Sequence, residues 1–142
     1  MMTNKTPLVS VVMSCYNSEK FIADAIKTIS NQTYNNWELI IVDDFSTDNS
    51  LKIIRKSILK FKITEKVKVI KHEKNYGCGT SLNDAIASSS GDLVAVLDSD
   101  DALSSKESIK IMVDAHLYHP EASLVYSNYW ECDPSLKKIK RF

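Results

Sequence analysis

Apolar residues follow two rhythms along this chain. Leu8-Val-Ser-Val-Val-Met13, Glu38-Leu-Ile-Ile-Val42, Val67-Lys-Val-Ile70 and Leu93-Val-Ala-Val-Leu97 are short runs rich in β-branched residues. Such runs read as strands, and the nearly unbroken ones suit strands buried on both faces of a parallel sheet. Leu93–Leu97 is the clearest of them. Between the runs the apolar spacing changes to three and four. Phe21, Ile22, Ala25, Ile26 and Ile29 predict a helix within 18–32, with Asn17 or Ser18 as its cap. Leu51, Ile54, Ile58 and Phe61 predict a second helix over 48–61. Leu82, Ala85 and Ile86 mark a short third helix, closed by Ser88-Ser-Ser-Gly91. Ile109, Met112, Val113 and Leu117 mark a fourth, ended by His119-Pro120. His72 to Gly79 reads as a loop, Ser123 to Tyr129 as a fifth strand, and Asp133-Pro134-Ser135 as a turn.

Strands alternating with helices predict an α/β fold: a mostly parallel, Rossmann-like sheet in three layers with right-handed crossovers. Ligands of such sheets bind beyond the carboxyl ends of the strands. The segments expected on that rim are Ser14–Asn17, Asp43–Ser46, His72–Gly79 and Asp98–Asp101.

Composition narrows the classes. The chain has 142 residues, about one domain. Lys plus Arg and Asp plus Glu number 18 each, so bulk electrostatics does not favour a nucleic-acid partner. The last six residues hold Lys137, Lys138, Lys140 and Arg141 and no acid, which leaves the body mildly acidic. No apolar run approaches the ~20 residues that span a bilayer, and the N-terminus lacks the pattern of a signal peptide. Cys15, Cys78 and Cys132 form no C-x-x-C pair and are expected to be reduced, mostly buried thiols of a cytoplasmic protein. His72, His116 and His119 have no metal-ligand spacing as a set, and the last two suit a helix C-terminus.

The rim is acidic. Asp43 and Asp44 follow the second strand, Glu73 the third, and Asp98, Asp100 and Asp101 the fourth. Like charges gathered together need a cation. A hard divalent ion held by one or two carboxylates plus phosphate oxygens is the usual solution, and Asp98-x-Asp100 suits it. Asp101 is also a residue type that commonly caps a following helix. Gly77-Cys-Gly79 does not complete a dinucleotide fingerprint, because it follows the third strand and Leu82 stands at the third glycine position. Those glycines serve loop geometry or a close backbone approach. Tyr16 and Tyr76 are aromatic candidates for stacking on a nucleobase.

Five ordered motifs then carry a resemblance. They are V-S-V-V-M-S-C-Y-N (9–17), S-N-Q-T-Y (30–34), W-E-L-I-I-V-D-D-F-S-T-D-N-S (37–50), N-Y-G (75–77) and G-D-L-V-A-V-L-D-S-D-D (91–101). The chain resembles family 2 glycosyltransferases of the GT-A fold from about Pro7 to Asn128. The resemblance implies transfer of a sugar, with inversion, from a nucleotide-diphosphate sugar, a UDP-sugar above others, to a glycan or lipid-linked acceptor in polysaccharide biosynthesis. It implies nucleotide binding by Ser14, Tyr16, Asn17, Asp43, Asp44, Asn75 and Asp98, with one of Asp43 and Asp44 accepting the uracil N–H. Asp98-Ser99-Asp100 matches the D-x-D element, which implies Mn²⁺ or Mg²⁺ held by Asp100 with Asp98. An Arg common after N-x-G is absent here, which leaves Lys71 or Lys74 as the candidate cation for the phosphates. The family's general base and acceptor site belong to a further half, so this chain is expected to be the donor-binding part, with no catalytic residue assigned. The implied organisation is a tail over 1–6, the GT-A nucleotide-sugar domain over 7–130, and a basic tail or the start of the acceptor half over 131–142. The basic tail also raises peripheral association with the inner face of a membrane.

Two other classes compete. A phosphoryl-accepting receiver domain also gathers acids at parallel strand ends, but its acceptor Asp follows the third strand, where Lys71-His72-Glu73 stands here. A non-catalytic nucleotide-sugar-binding module shares the donor-site motifs.

Overall fold

A computed structural model describes residues 6–142. Four parallel strands, β1 (Val9–Cys15), β2 (Trp37–Asp43), β3 (Val67–Lys71) and β4 (Leu93–Val96), form one sheet in the order β3-β2-β1-β4. Helices α1 (Ile22–Ser30), α2 (Ser50–Lys60), α3 (Cys78–Ala87) and α4 (Ser108–Tyr118) connect or follow them. An antiparallel hairpin, β5 (Trp130–Cys132) with β6 (Lys138–Arg141), ends the chain.

The layers follow from strand alternation. Val9, Val11, Met13 and Cys15 point to one face of β1, where Ile22, Ile26 and Ile29 of α1, Ile54 and Ile58 of α2, and Ile109 and Val113 of α4 join the main core. Val12 points to the other face, where it meets Ile40, Val42 and Ala85 of α3. Each fully buried Ile or Leu contributes about 1.5–3 kcal/mol by leaving water. The chain leaves β1 toward β2 and β3, then crosses back over the opposite face to place β4 on the other side of β1. The direction of winding therefore reverses at the carboxyl ends of β1 and β4, where a crevice for ligands opens in this class of sheet.

At the amino end the sheet is pinned by a polar knot. The buried Ser10 hydroxyl donates to Glu38 Oε1 at 2.6 Å and accepts from Gly91 N–H at 2.8 Å. A Cβ on Gly91 would lie 2.4 Å from Ser10 Oγ, so only glycine turns the chain into β4 there.

Several sequence expectations change. Residues 123–129 form no strand, although their composition favours one. Tyr129 exchanges backbone hydrogen bonds with Phe142 and so extends the hairpin, but among the described residues no strand lies beside 123–128 to complete a ladder, and Leu124 and Tyr126 are exposed. β4 is not buried on both faces: it is an edge strand, and Val94 and Val96 are exposed while Leu93 and Ala95 are half-buried. Helix α3 starts at Cys78, so Gly79 lies inside it and only Gly77, at φ +88°, uses glycine's freedom. Helix α1 starts at Ile22 without a side-chain cap; Ser18 instead offers its backbone carbonyl to the N–H groups of Phe21 and Ile22. The basic tail is strand β6, with Lys138 4.8 Å from the Trp130 ring centroid and Phe142 stacked on Tyr129. The expected turn at 133–135 holds, with Asp133 Oδ1 accepting from the N–H groups of Ser135 and Lys137. Of the three thiols, only Cys15 is buried; Cys78 and Cys132 are exposed.

Candidate functional site

The four strand ends meet on one rim, as alternation of strands and helices implies. Asp44 N–H donates to Cys15 O, His72 N–H to Asp43 O, and Leu97 N–H to Val12 O, which carries the register up to the loops. The loop after β1 is then stitched to the loop after β2. Asn17 Oδ1 accepts from Thr47 N–H at 2.8 Å, Ser46 Oγ accepts from Asn17 N–H at 3.1 Å, and Asp48 Oδ2 accepts from Glu19 N–H at 3.0 Å. Asp48 also accepts from Ser50 N–H at the start of α2. Burial opposes its charge, but the Ser50 and Glu19 bonds outweigh that and hold its carboxyl below the ordinary value. Asn17 adopts φ +51°, a conformation that asparagine tolerates better than most side chains.

Asp43 and Asp44, indistinguishable by motif, sit in opposite surroundings. Asp44 Oδ1 accepts from His72 Nδ1 at 2.7 Å and Tyr76 N–H at 2.9 Å, and Oδ2 accepts from Gly77 N–H at 2.8 Å. Burial alone pushes this carboxyl up; the bonds from Tyr76, His72 and Gly77 prevail, and its pKa is lowered. Asp44 therefore clasps the 72–77 loop against the end of β2. Asp43 stands in register with Cys15, fully buried, and neither of its carboxylate oxygens has a hydrogen-bond partner among the described residues. Burial, and then the charge of Asp43, push the Cys15 thiol up, so this cysteine is no activated nucleophile.

On the other side of the crevice, β4 ends in a turn closed by Asp101 N–H on Asp98 O. Asp98, Asp100 and Asp101 are exposed. Asp101 is held above the ordinary carboxylate range by partial burial and then by the charges of Asp100 and Asp98. The three carboxylates thus feel one another. None of them caps a helix, because α4 begins only at Ser108 with Glu107 at its cap position. Ser99 is buried and its hydroxyl lies 2.7 Å from that of Ser18, which ties this turn to the loop after β1.

The remaining candidates separate. Ser14 is half-buried near the end of β1, and Tyr16 is half-exposed beyond it, both beside the crevice. Asn75 Oδ1 accepts from Gly77 N–H at 3.1 Å, so its side chain shapes its own loop. Lys71 ends β3, at the sheet edge two strands from β1, and Lys74 lies over the Tyr76 ring. His116 lies in the last turn of α4, and the neighbouring His119 pairs with Glu121 at 3.1 Å. Among the described residues, no three His, Cys, Asp or Glu converge closely enough to cage a metal ion. The acids after β4 fit instead a cation that takes one or two carboxylates and finds its other oxygens elsewhere. No helix of the described residues is long and apolar enough to cross a membrane. Sequence reasoning missed His72 and the Tyr76 and Gly77 amides. The missed signal was a His between an Asp-Asp pair and a glycine loop expected to share its rim.

Known proteins share both the sequence and this frame. The chain is 39% identical over 98 residues to the putative glycosyltransferase EpsE of Bacillus subtilis, covering 69% of this chain and 34% of that protein. It is 35% identical over 123 residues to the Escherichia coli UDP-Glc:alpha-D-GlcNAc-diphosphoundecaprenol beta-1,3-glucosyltransferase WfgD, covering 86% of this chain and 46% of WfgD. It thus spans about a third to a half of the length of these relatives. A crystal structure of S. aureus TarS 1–349 in complex with UDP-GlcNAc superposes with a TM-score of 0.68 at 33% identity, over 80% of this chain and 31% of that one. The family model described as Glycosyl transferase family 2 matches residues 10–141, and with the parallel sheet in place, this chain belongs to that family.

Proposed function

We propose that this chain is the donor-binding half of an inverting glycosyltransferase that takes a UDP-sugar and serves a glycan or lipid-linked acceptor. The observation that carries the reading is the pair of acidic loops on one rim, after β2 and after β4, the two strands that flank β1. On one side Asp44 is buried and held by three donors, and on the other Asp98, Asp100 and Asp101 crowd unpaired charge. In this reading the uracil edge lies against Asp44, the base and ribose against Ser14 and Tyr16, and the ribose near Asp98. Both carboxylates are buried, and of the undivided pair Asp44 is the better acceptor because it stands one residue past the end of β2, where the 72–77 loop fixes its orientation. Asn17 and Asn75 act through the backbone they hold rather than by touching nucleotide. TarS, whose crystal structure holds UDP-GlcNAc, supports UDP as the nucleotide.

Asp100 with Asp98 would hold Mn²⁺ or Mg²⁺, and that ion supplies Lewis-acid stabilisation of charge on the leaving diphosphate. The protein's own share is to position the donor. The Ser18–Ser99 hydroxyl contact fixes the acidic turn relative to the β1 loop, and the Asp44 clasp fixes the base side. A diphosphate facing these acids without a cation meets repulsion of several kcal/mol in a partly dehydrated cleft.

Calorimetric titration with UDP, with and without Mn²⁺, tests the reading. Binding is expected to require the metal, and Asp100→Asn is expected to weaken it by at least ~10-fold, or about 1.4 kcal/mol. Wild-type affinity and unchanged Mn²⁺ dependence in that variant would remove Asp100 from the site. Asp44→Asn is expected to weaken UDP binding while leaving its metal dependence intact.

A further inference from the structure

His72 sits where β3 hands over to the glycine loop, and it is buried. Its ring touches a carboxylate at each nitrogen: Nδ1 lies 2.7 Å from Asp44 Oδ1, and Nε2 lies 3.1 Å from Asp84 Oδ2 of α3. A carboxylate only accepts hydrogen bonds, so both ring nitrogens must donate. Only the imidazolium has two N–H groups. A neutral ring would turn a lone pair toward one of the two anions. The Tyr76 ring packs at 84° to the imidazole, with centroids 5.0 Å apart.

We propose that His72, as an imidazolium bridge between Asp44 and Asp84, is a positioning residue that locks the Asp44 carboxylate and the 72–77 loop in the geometry that receives the nucleobase. The proposal rests on the donor-site reading of Asp44 given above. Asp44 uses one oxygen for Gly77 and the other for both Tyr76 and His72, so its orientation is set by donors that all belong to this loop. The loop is tied in turn to α3 through Asp84, whose side chain is half-exposed. Without the Asp84 link, the His72 ring is held by Asp44 alone.

The electrostatics agree with the geometry. The Asp44 hydrogen bond raises the His72 pKa; burial opposes it, and the Asp84 bond and both charges add to the rise. The groups facing the ring are Asp44 from the loop after β2, Asp84 from α3 and Tyr76 from its own loop, while Lys71, Glu73 and Lys74 flank it in sequence. The sign follows: the bridge is complete below the ordinary histidine pKa of about 6.5 and is lost as pH rises through the higher folded value.

The test uses UDP with Mn²⁺ across pH on the wild-type chain, His72→Asn and Asp84→Asn, with histidine and amide NMR signals followed in the absence of ligand. Asn at 72 can donate once to Asp44 but cannot titrate. Wild type is expected to bind UDP roughly tenfold more tightly than His72→Asn at low pH, the size of a lost charge-assisted bond. The two are expected to converge as pH rises through the His72 pKa. Asp84→Asn removes one anion and is expected to move that midpoint to lower pH while keeping the affinity at low pH. Ligand ionisation is common to all three proteins and cancels in the comparison. In the free protein, the Tyr76 and Gly77 amide signals are expected to shift with the His72 midpoint. Parallel pH profiles for wild type and His72→Asn, or loop amides that ignore His72 titration, would overturn the positioning role while UDP binding stands. Absence of UDP binding at every pH, with the NMR titration as expected, would instead overturn the donor-site reading and the proposal with it.

Discussion

The two banks of the crevice are built by opposite means. On the β2 side, Asp43 apart, the rim's polar side chains are spent within the protein: Asp44 on three donors, Asp48 on the loop before α1 and the start of α2, and Asn17 on the 47–48 backbone. On the β4 side the acids stay unspent, and Asp101 is held above its ordinary range by burial and by its neighbours' charge. The first bank is organised before any ligand arrives. The second stores repulsion that a cation would relieve. A bank of the first kind confers shape, and a bank of the second confers dependence on what binds.

Substitutions distinguish the two. The largest effect is expected from Asp44→Ala, which strands the part-buried Tyr76 and Gly77 amides and the buried His72 imidazolium; thermal unfolding should report a loss of about 3 kcal/mol. Asp100→Asn, on the other bank, should leave the melting temperature nearly unchanged while costing the ~10-fold in UDP affinity stated above, about 1.4 kcal/mol. Equal melting losses in the two variants would erase the contrast. Acid should act on the first bank. The folded pKa values of Asp44 and Asp48 are lowered, so their stabilisation is complete above the ordinary aspartate value of about 3.9 and is lost as pH falls through the lower folded values. Urea midpoints measured between pH 5 and pH 2 should show this slope, and Asp44→Asn should flatten it. The smallest effect is expected from Asp101→Asn: relief of partial burial and of like charge, screened by solvent at this exposed turn, should stabilise the metal-free chain by less than about 0.5 kcal/mol at neutral pH, visible as a slightly raised urea midpoint.

The sequence told these banks apart only in part. Apolar runs placed β1, β2, β3 and β4 within a few residues, because strands in a parallel sheet leave little room for polar interruption. The rim followed from strand order alone. The division of labour between Asp43 and Asp44 was not legible, because alternation places them on opposite sides of the strand end and only the loop that comes back decides which one is clasped. That loop was itself misread: Gly77-Cys78-Gly79 carries the composition of a turn, yet Gly77 spends its positive φ in presenting an amide to Asp44, and the helix begins at once. Residues 123–128 carry strand composition and form none, since a strand exists only with a partner, and only Tyr129 of this stretch finds one, in Phe142.

The strand order also sets a clock. β1 is central, pairing with β2 on one side and with β4 on the other, and Val9 lies opposite Leu93. A ribosome adding ~5–20 residues per second reaches Leu93 roughly 4–17 seconds after Val9. Through that interval one margin of the first strand has no mate. The nascent chain can settle β1, β2 and β3 with α1 and α2 in order of emergence, but the closing pair joins residues far apart in sequence, the kind of contact that slows folding. Slowing translation between α3 and β4 would prolong the time in which the open margin of Val9–Val12 is offered to other chains.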